Sequence, residues 1–132
     1  MRILETALYA ENLEETAAFY ERVLGLTRMT ELPGRHIFFS LDDAVLLLFA
    51  PTASAQPTGR PDLPVPPHGA HGPGHVCFRA DTPSLDDWEK RLEAAGVPIE
   101  ARVDWPHGGT SLYFRDPAGN SLEVAEPRIW GL

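Results

Sequence analysis

Glu5, His75 and Glu123 are ionisable side chains set in short strand-like runs, ETALYA, HVCFRA and SLEVA, whose other members are mostly apolar or small. A carboxylate or an imidazole in such a run is expensive to bury unless it is paired or bound to a cation. Three of them on matched strands suggest a cation. Each also has a plainer reading: Glu5 at an exposed strand edge, His75 as a satisfied core histidine, Glu123 paired with Arg115 or Arg128. Further along the chain, Trp105, His107, Gly108 and Gly109 precede a late strand. Glycines there would let the backbone approach a ligand, and His107 has the chemistry of a catalytic acid or base; a plain hairpin is the alternative. Tyr113 and Arg115 share a strand face, placed either to orient an anionic or phenolic substrate or simply to pair across the sheet. His68 and His71 lie in a Pro/Gly-rich stretch as substrate contacts or as solvated loop residues.

The elements that must position these residues are written twice. Residues 3 to 10 alternate as a strand, with Ile3, Glu5, Ala7 and Tyr9 on one face. Asn12 followed by Glu15 has the spacing of a helix N-cap with its capping-box partner. Leu13, Ala17, Tyr20 and Leu24 then recur at helical spacing up to a stop at Gly25. Three strands are predicted near 27 to 32, 36 to 41 and 44 to 50, separated by Pro33-Gly34 and Asp42-Asp43 turns. The second half repeats the order: a strand from 75 to 80, Ser84 as N-cap of a helix carrying Leu85, Trp88, Leu92 and Ala95, a stop at Gly96, then strands near 99 to 104, 110 to 115 and 120 to 126. An offset of about seventy residues lays one copy on the other, an internal duplication of βαβββ. In that overlay Glu5 and His75 are equivalent, and a pseudo-twofold axis would bring them together. Glu123 is on the last strand of the second copy, its neighbours Leu122 and Val124 pointing the opposite way.

The fold class is therefore α+β, one domain over 1–132 made of a first βαβββ module (1–50), a loop (51–74) and a second module (75–132). In the loop, Pro and Gly are too dense for helix or ladder, and a connection of that length in a compact domain is a lid or a tether. Phe38, Phe39, Phe49 and Phe78 are expected in the core, and Trp88 in helix packing. The single cysteine, Cys77, sits in an apolar run and reads as a buried small hydrophobe.

With 11 Lys+Arg against 19 Asp+Glu, the net charge of −8 opposes binding to phosphate backbones and anionic lipid. One cysteine supports neither a disulfide nor a thiolate cluster. The first fifteen residues lack the apolar stretch of a signal peptide, and no window reaches the roughly 20 apolar residues of a membrane span, so a cytoplasmic location is expected. Walker, dinucleotide and GxSxG patterns do not occur.

Three segments, LEETAAFYERVLGL (13–26), HVCFRAD (75–81) and YFRDPAGNSLEV (113–124), resemble the vicinal oxygen chelate superfamily, which includes glyoxalases, bleomycin resistance proteins and extradiol dioxygenases. The last segment is the most specific, and the likeness extends over essentially the whole chain. It implies the glyoxalase/bleomycin resistance/dihydroxybiphenyl dioxygenase-like fold, with metal ligands from the first and fourth strand of each module. Carried onto this sequence, those positions are Glu5, Leu47 or a close neighbour, His75 and Glu123. The first is commonly His in the family, and Leu47 cannot ligate, although it can line a substrate site. The implied face is Glu5, His75 and Glu123, one imidazole and two carboxylates. Such a face leans modestly toward Mn, Mg or Fe over Zn; Ni is also among the ions to be considered. The expected activity is that of a metal-dependent lyase, isomerase, transferase or dioxygenase acting on a small oxygen-bearing substrate by bidentate chelation. Glu123 and His107 would be catalytic, with Tyr113, Arg115, Trp105, His71 and Leu47 around the substrate. The alternative within the same family is a metal-free protein that sequesters a drug-like ligand. A homodimer is expected by analogy.

Overall fold

The structure, a computed structural model, describes residues 1–132. The chain folds as two compact units, Met1–Pro73 and Gly74–Leu132. The first contains β1 (Glu5–Tyr9), α1 (Leu13–Phe19), β2 (Thr27–Leu32), β3 (His36–Ser40), β4 (Val45–Phe49) and a short α2 (Pro51–Ser54). The second contains β5 (His75–Arg79), α3 (Leu85–Ala94), β6 (Ala101–Asp104), β7 (Thr110–Arg115) and β8 (Ser121–Ala125). Each unit is one four-stranded sheet, ordered β1-β4-β3-β2 and β5-β8-β7-β6. In both, the first strand runs parallel to the fourth and the remaining pairs are antiparallel. The duplicated βαβββ order expected from the sequence is the observed one.

Helix α1 begins at Asn12, whose side chain accepts from the Glu15 N–H, and α3 begins at Ser84 in a reciprocal capping box with Asp87. Each helix covers one face of its sheet. Leu8, Ile37, Phe39, Leu46 and Leu48 are buried on the covered face of the first sheet; Leu112, Phe114, Leu122 and Val124 do the same in the second. Strand alternation leaves the opposite, open faces to carry Glu5, Phe38, Leu47 and Phe49 in the first unit and His75, Cys77, Tyr113 and Glu123 in the second.

Two local features depart from expectation. The helix expected to run unbroken to Gly25 widens after Phe19 into a π-helical turn, Tyr20–Leu24. Gly25, at φ 69°, donates its N–H to the Tyr20 carbonyl, five residues back, which keeps Tyr20 and Val23 fully buried while the chain turns into β2. Within 51–74, expected to be free of helix, Pro51–Ser54 forms a helical turn with proline at its start, where a missing N–H is harmless. Arg35 clamps it, donating to the carbonyls of Ala53 (2.7 Å) and Gln56 (3.0 Å). The rest of the stretch packs back on the first unit as a strap. The His68 N–H bonds the Ser54 carbonyl at 3.1 Å, and His68 Nδ1 lies 2.8 Å from the Tyr9 hydroxyl.

Candidate active site

On the open face of the second sheet, β5 and β8 run parallel with His75 beside Ser121 and Cys77 beside Glu123, while β7 places Tyr113 across from Glu123. Glu123 is the buried member, its side chain 7% exposed against 51% for His75. Its Oε2 lies 3.3 Å from His75 Nε2, and its Oε1 has no hydrogen-bond partner. The other imidazole nitrogen, Nδ1, is 3.0 Å from the Ser121 carbonyl. A carbonyl only accepts, so Nδ1 carries a proton, and a ring holding that proton alone turns the lone pair of Nε2 toward the carboxylate. Two acceptors at that distance repel unless a proton or a cation stands between them. Together with the orphaned Oε1, this donor set fits a divalent ion.

The turn between β7 and β8 fixes this geometry. Asp116 and Asn120 are both buried; Asp116 accepts from the Asn120 backbone and side-chain N–H groups, each at 2.8 Å. Asn120 Oδ1 in turn accepts from the Gly74 N–H at 2.8 Å, and Gly74 O accepts from Ser121 at 2.9 Å. One side chain therefore sets the start of β8 against the start of β5, and with it the pairing of Glu123 and His75. Asn120 is a positioning residue that was not among the candidates from the sequence; its signal was the polar side chain that closes the DPAGN motif.

Cys77 corrects the expectation of a buried hydrophobe, because it is exposed on this open face. The signal was parity: if His75 faces the site, so does the residue two positions on. Desolvation at the sheet, followed by the charge of the adjoining Glu123, pushes its thiol up to about 12. Burial and then the same carboxylate raise the Tyr113 phenol. The Tyr113 ring stacks on His75 with centroids 6.3 Å apart.

The remaining candidates divide. The plainer pairings for Glu123 do not form: Arg115 is taken by Glu100 (2.9 Å) and the Gly119 carbonyl (3.1 Å), and Arg128 by Glu126 (2.8 Å). Trp105 stays beside the open face through its indole N–H on Ser111 Oγ at 2.9 Å. The turn that carries it is the hairpin joining β6 to β7, closed by Trp105 N–H to Gly109 O at 2.9 Å, with His107 exposed at its tip. His71, expected near substrate, instead sits 3.1 Å from Glu11 on the strap. Glu5 and Leu47 are on the open face of the first sheet, where Leu47 takes the register position that Glu123 takes in the second: Leu47 faces Ala7, and Glu123 faces Cys77. No three His, Cys, Asp or Glu side chains gather around one point. Phe38 also departs from expectation, being half-exposed on the open face, whereas Phe39 is fully buried.

The chain belongs to the Glyoxalase/Bleomycin resistance protein/Dioxygenase superfamily, whose sequence profile matches residues 2–124. It is similar to the solved structure of a lactoylglutathione lyase from Agrobacterium tumefaciens, at 45% identity, TM-score 0.92 and coverage of 99% of this chain and 97% of that one. It is 30% identical to a virulence protein of Salmonella typhimurium, over 95% of this chain and 83% of that protein. It is also 32% identical to a biphenyl-2,3-diol 1,2-dioxygenase of Rhodococcus globerulus, over 93% of this chain but only 62% of the dioxygenase's length. No helix is long and apolar enough to cross a membrane.

Proposed function

We propose that the chain is a divalent-metal-dependent enzyme acting on a small oxygen-bearing substrate, with His75 and Glu123 as ligands and Glu5 as the third. The observation that carries this is the pair of facing acceptors, His75 Nε2 and Glu123 Oε2 at 3.3 Å, beside a buried carboxylate oxygen without a partner. A bound ion supplies Lewis acidity for two neighbouring substrate oxygens. Around it, the Ser121 carbonyl fixes the His75 tautomer, as an outer partner of a metal-ligating histidine does. Tyr113 offers a phenol whose proton burial and then the adjacent carboxylate hold more firmly, a donor for a substrate oxygen. The similarity to a lactoylglutathione lyase favours a lyase over a dioxygenase within this reading. The assembly it implies is a homodimer.

Thermal unfolding of chelated protein with Mn²⁺, Fe²⁺, Ni²⁺, Zn²⁺ or Mg²⁺ tests this. An ion at a hundredfold excess over its Kd stabilises the chain by about 2.7 kcal/mol. Glu5→Ala and His75→Ala should abolish the response. If no ion moves the transition, the metal reading fails, and a ligand-sequestering protein replaces it; the apolar Leu47 in the register position of a ligand favours that second reading.

A further inference from the structure

The first unit has its own concavity, about 630 Å³ between the open face of its sheet and the strap, a volume that suits a drug-sized molecule. Its floor is aromatic. The His36 ring stacks on Phe38 with centroids 4.2 Å apart and planes at 15°, and Phe49 meets both edge-on at 5.8 and 5.2 Å. From the strap, His68 meets Phe49 edge-on at 4.5 Å, so rings stand on both sides of the space. Burial and then the charge of Arg35 hold His36 below its ordinary value, which favours the uncharged ring. Leu32, Leu63 and Val65 line the same space while 49%, 49% and 55% exposed, apolar surface that a ligand would remove from water. The strap is held in place by the His68–Tyr9 and Arg35 bonds described above, so the roof is part of the fold.

Three charged side chains line this cleft, Arg35, Arg60 and Glu5. Arg60 is paired with Asp62, but Arg35 directs its donors at backbone carbonyls and meets no carboxylate. We propose that this cleft binds a planar aromatic group bearing an anionic substituent, the ring between His36, Phe38, Phe49 and His68 and the anion at Arg35. Glu5 lines the same cleft, so the far end of such a ligand comes to a residue assigned to the ion. Only this last link rests on the metal reading. The ring and anion contacts belong to the first unit alone.

Chelated, metal-free protein labelled with ¹⁵N is titrated with 2-naphthoate and, separately, with the neutral 2-naphthalenemethanol. Expected is saturable binding of naphthoate whose amide shifts centre on residues 36, 38, 49 and 68, with the alcohol bound at least fivefold more weakly. Phe38→Ala and His68→Ala should each weaken naphthoate by about tenfold, the loss of a ring contact together with its buried area. His68 is on the exposed strap, so its variant reports even if Phe38→Ala fails to fold. In Arg35→Gln the preference for naphthoate over the alcohol should vanish, a ratio that any loosening of the strap leaves interpretable. Absence of saturable binding, shifts centred elsewhere, or unchanged affinity in both ring variants would overturn the proposal; equal affinity for acid and alcohol would overturn its anionic part. Naphthoate binding without any thermal response to ions leaves the cleft standing and the metal reading refuted, and the converse result separates them the other way.

Discussion

Replacing Glu123 by glutamine should stabilise the metal-free protein and abolish its response to ions. Glu123 holds a carboxylate 93% out of solvent, one oxygen unpartnered and the other 3.3 Å from His75 Nε2. A buried polar group left in that state costs about 1–3 kcal/mol. The amide is isosteric, carries no charge, and can donate an N–H to His75 Nε2, so at least about 1 kcal/mol of that cost is relieved. For a chain of this size, each kcal/mol moves the unfolding midpoint by roughly 3–6 °C. At pH 8 the glutamine variant in chelator should therefore melt at least about 3 °C above the unaltered chain. With saturating ion the order should reverse, because only the carboxylate gains the binding contribution of about 2.7 kcal/mol. A site that destabilises the empty fold and is stabilised by its ligand is the expected signature of function. Differential scanning calorimetry of both chains, with chelator and with Mn²⁺ or Ni²⁺, is the assay. A glutamine variant that melts below the unaltered chain in chelator would refute the reasoning, since the carboxylate would then be satisfied by Tyr113 or Cys77 and need no cation.

Cys77 is held protonated first by burial and then by the same carboxylate. With its thiol raised from 9.0 to about 12, exposed Cys77 should alkylate slowly with iodoacetamide at pH 8, and Glu123→Gln should accelerate the reaction in metal-free protein; equal rates would count against the carboxylate's influence. The sign for stability follows: an unfolded thiol ionises first, so as pH rises above 9 the unfolded state is favoured and this contribution to stability is lost. Asn120→Ala strands the Gly74 N–H and removes a side-chain donor to Asp116, which should cost about 1–3 kcal/mol in urea unfolding and shift the His75 ring resonances, since both strands of the site start there. At Gly109, φ +87°, an added Cβ would stand 2.6 Å from Ile129 Cγ2 and 3.0 Å from its backbone nitrogen, whereas at Gly108, φ +98°, it meets nothing within 4 Å. Both alanine variants carry the left-handed strain of roughly 1–2 kcal/mol, and Gly109→Ala should be the more destabilised by thermal melting.

The elements were legible because each carries its own punctuation. Asn12 and Ser84 cap the helices, Gly25 and Gly96 stop them at φ 69° and 68°, and the alternation of Leu122, Glu123 and Val124 sets the face of β8 correctly. Less legible was anything decided by a side chain's distant partner. His71 and Arg115 have the chemistry of substrate contacts, yet Glu11 and Glu100 take them, partners sixty and fifteen residues away that no local pattern reveals. Cys77 and Phe38 failed for a different reason. Both are residue types that usually fill cores, and that preference was weighed above strand parity, which puts Cys77 with His75 and Phe38 with Leu47 on open faces.

Register equivalence between the two halves shows where the duplicated module has diverged. Leu47 corresponds to Glu123, Phe38 to Tyr113, His36 to Ser111 and Phe49 to Ala125, each pair read from the same ladder position in its own sheet. On the first open face the substitutions run toward rings and aliphatic carbon; on the second they run toward small residues around a carboxylate, a phenol and an imidazole. Covered-face positions do not diverge this way: Leu46 and Leu48 correspond to Leu122 and Val124, all fully buried. Core packing has therefore kept both copies apolar on the covered faces, and the chemical difference between the halves is confined to the faces that can meet a ligand. Within the first unit, Leu47 therefore belongs to the floor of the aromatic cleft, where Glu123 at the matching ladder position of the second unit is a buried carboxylate.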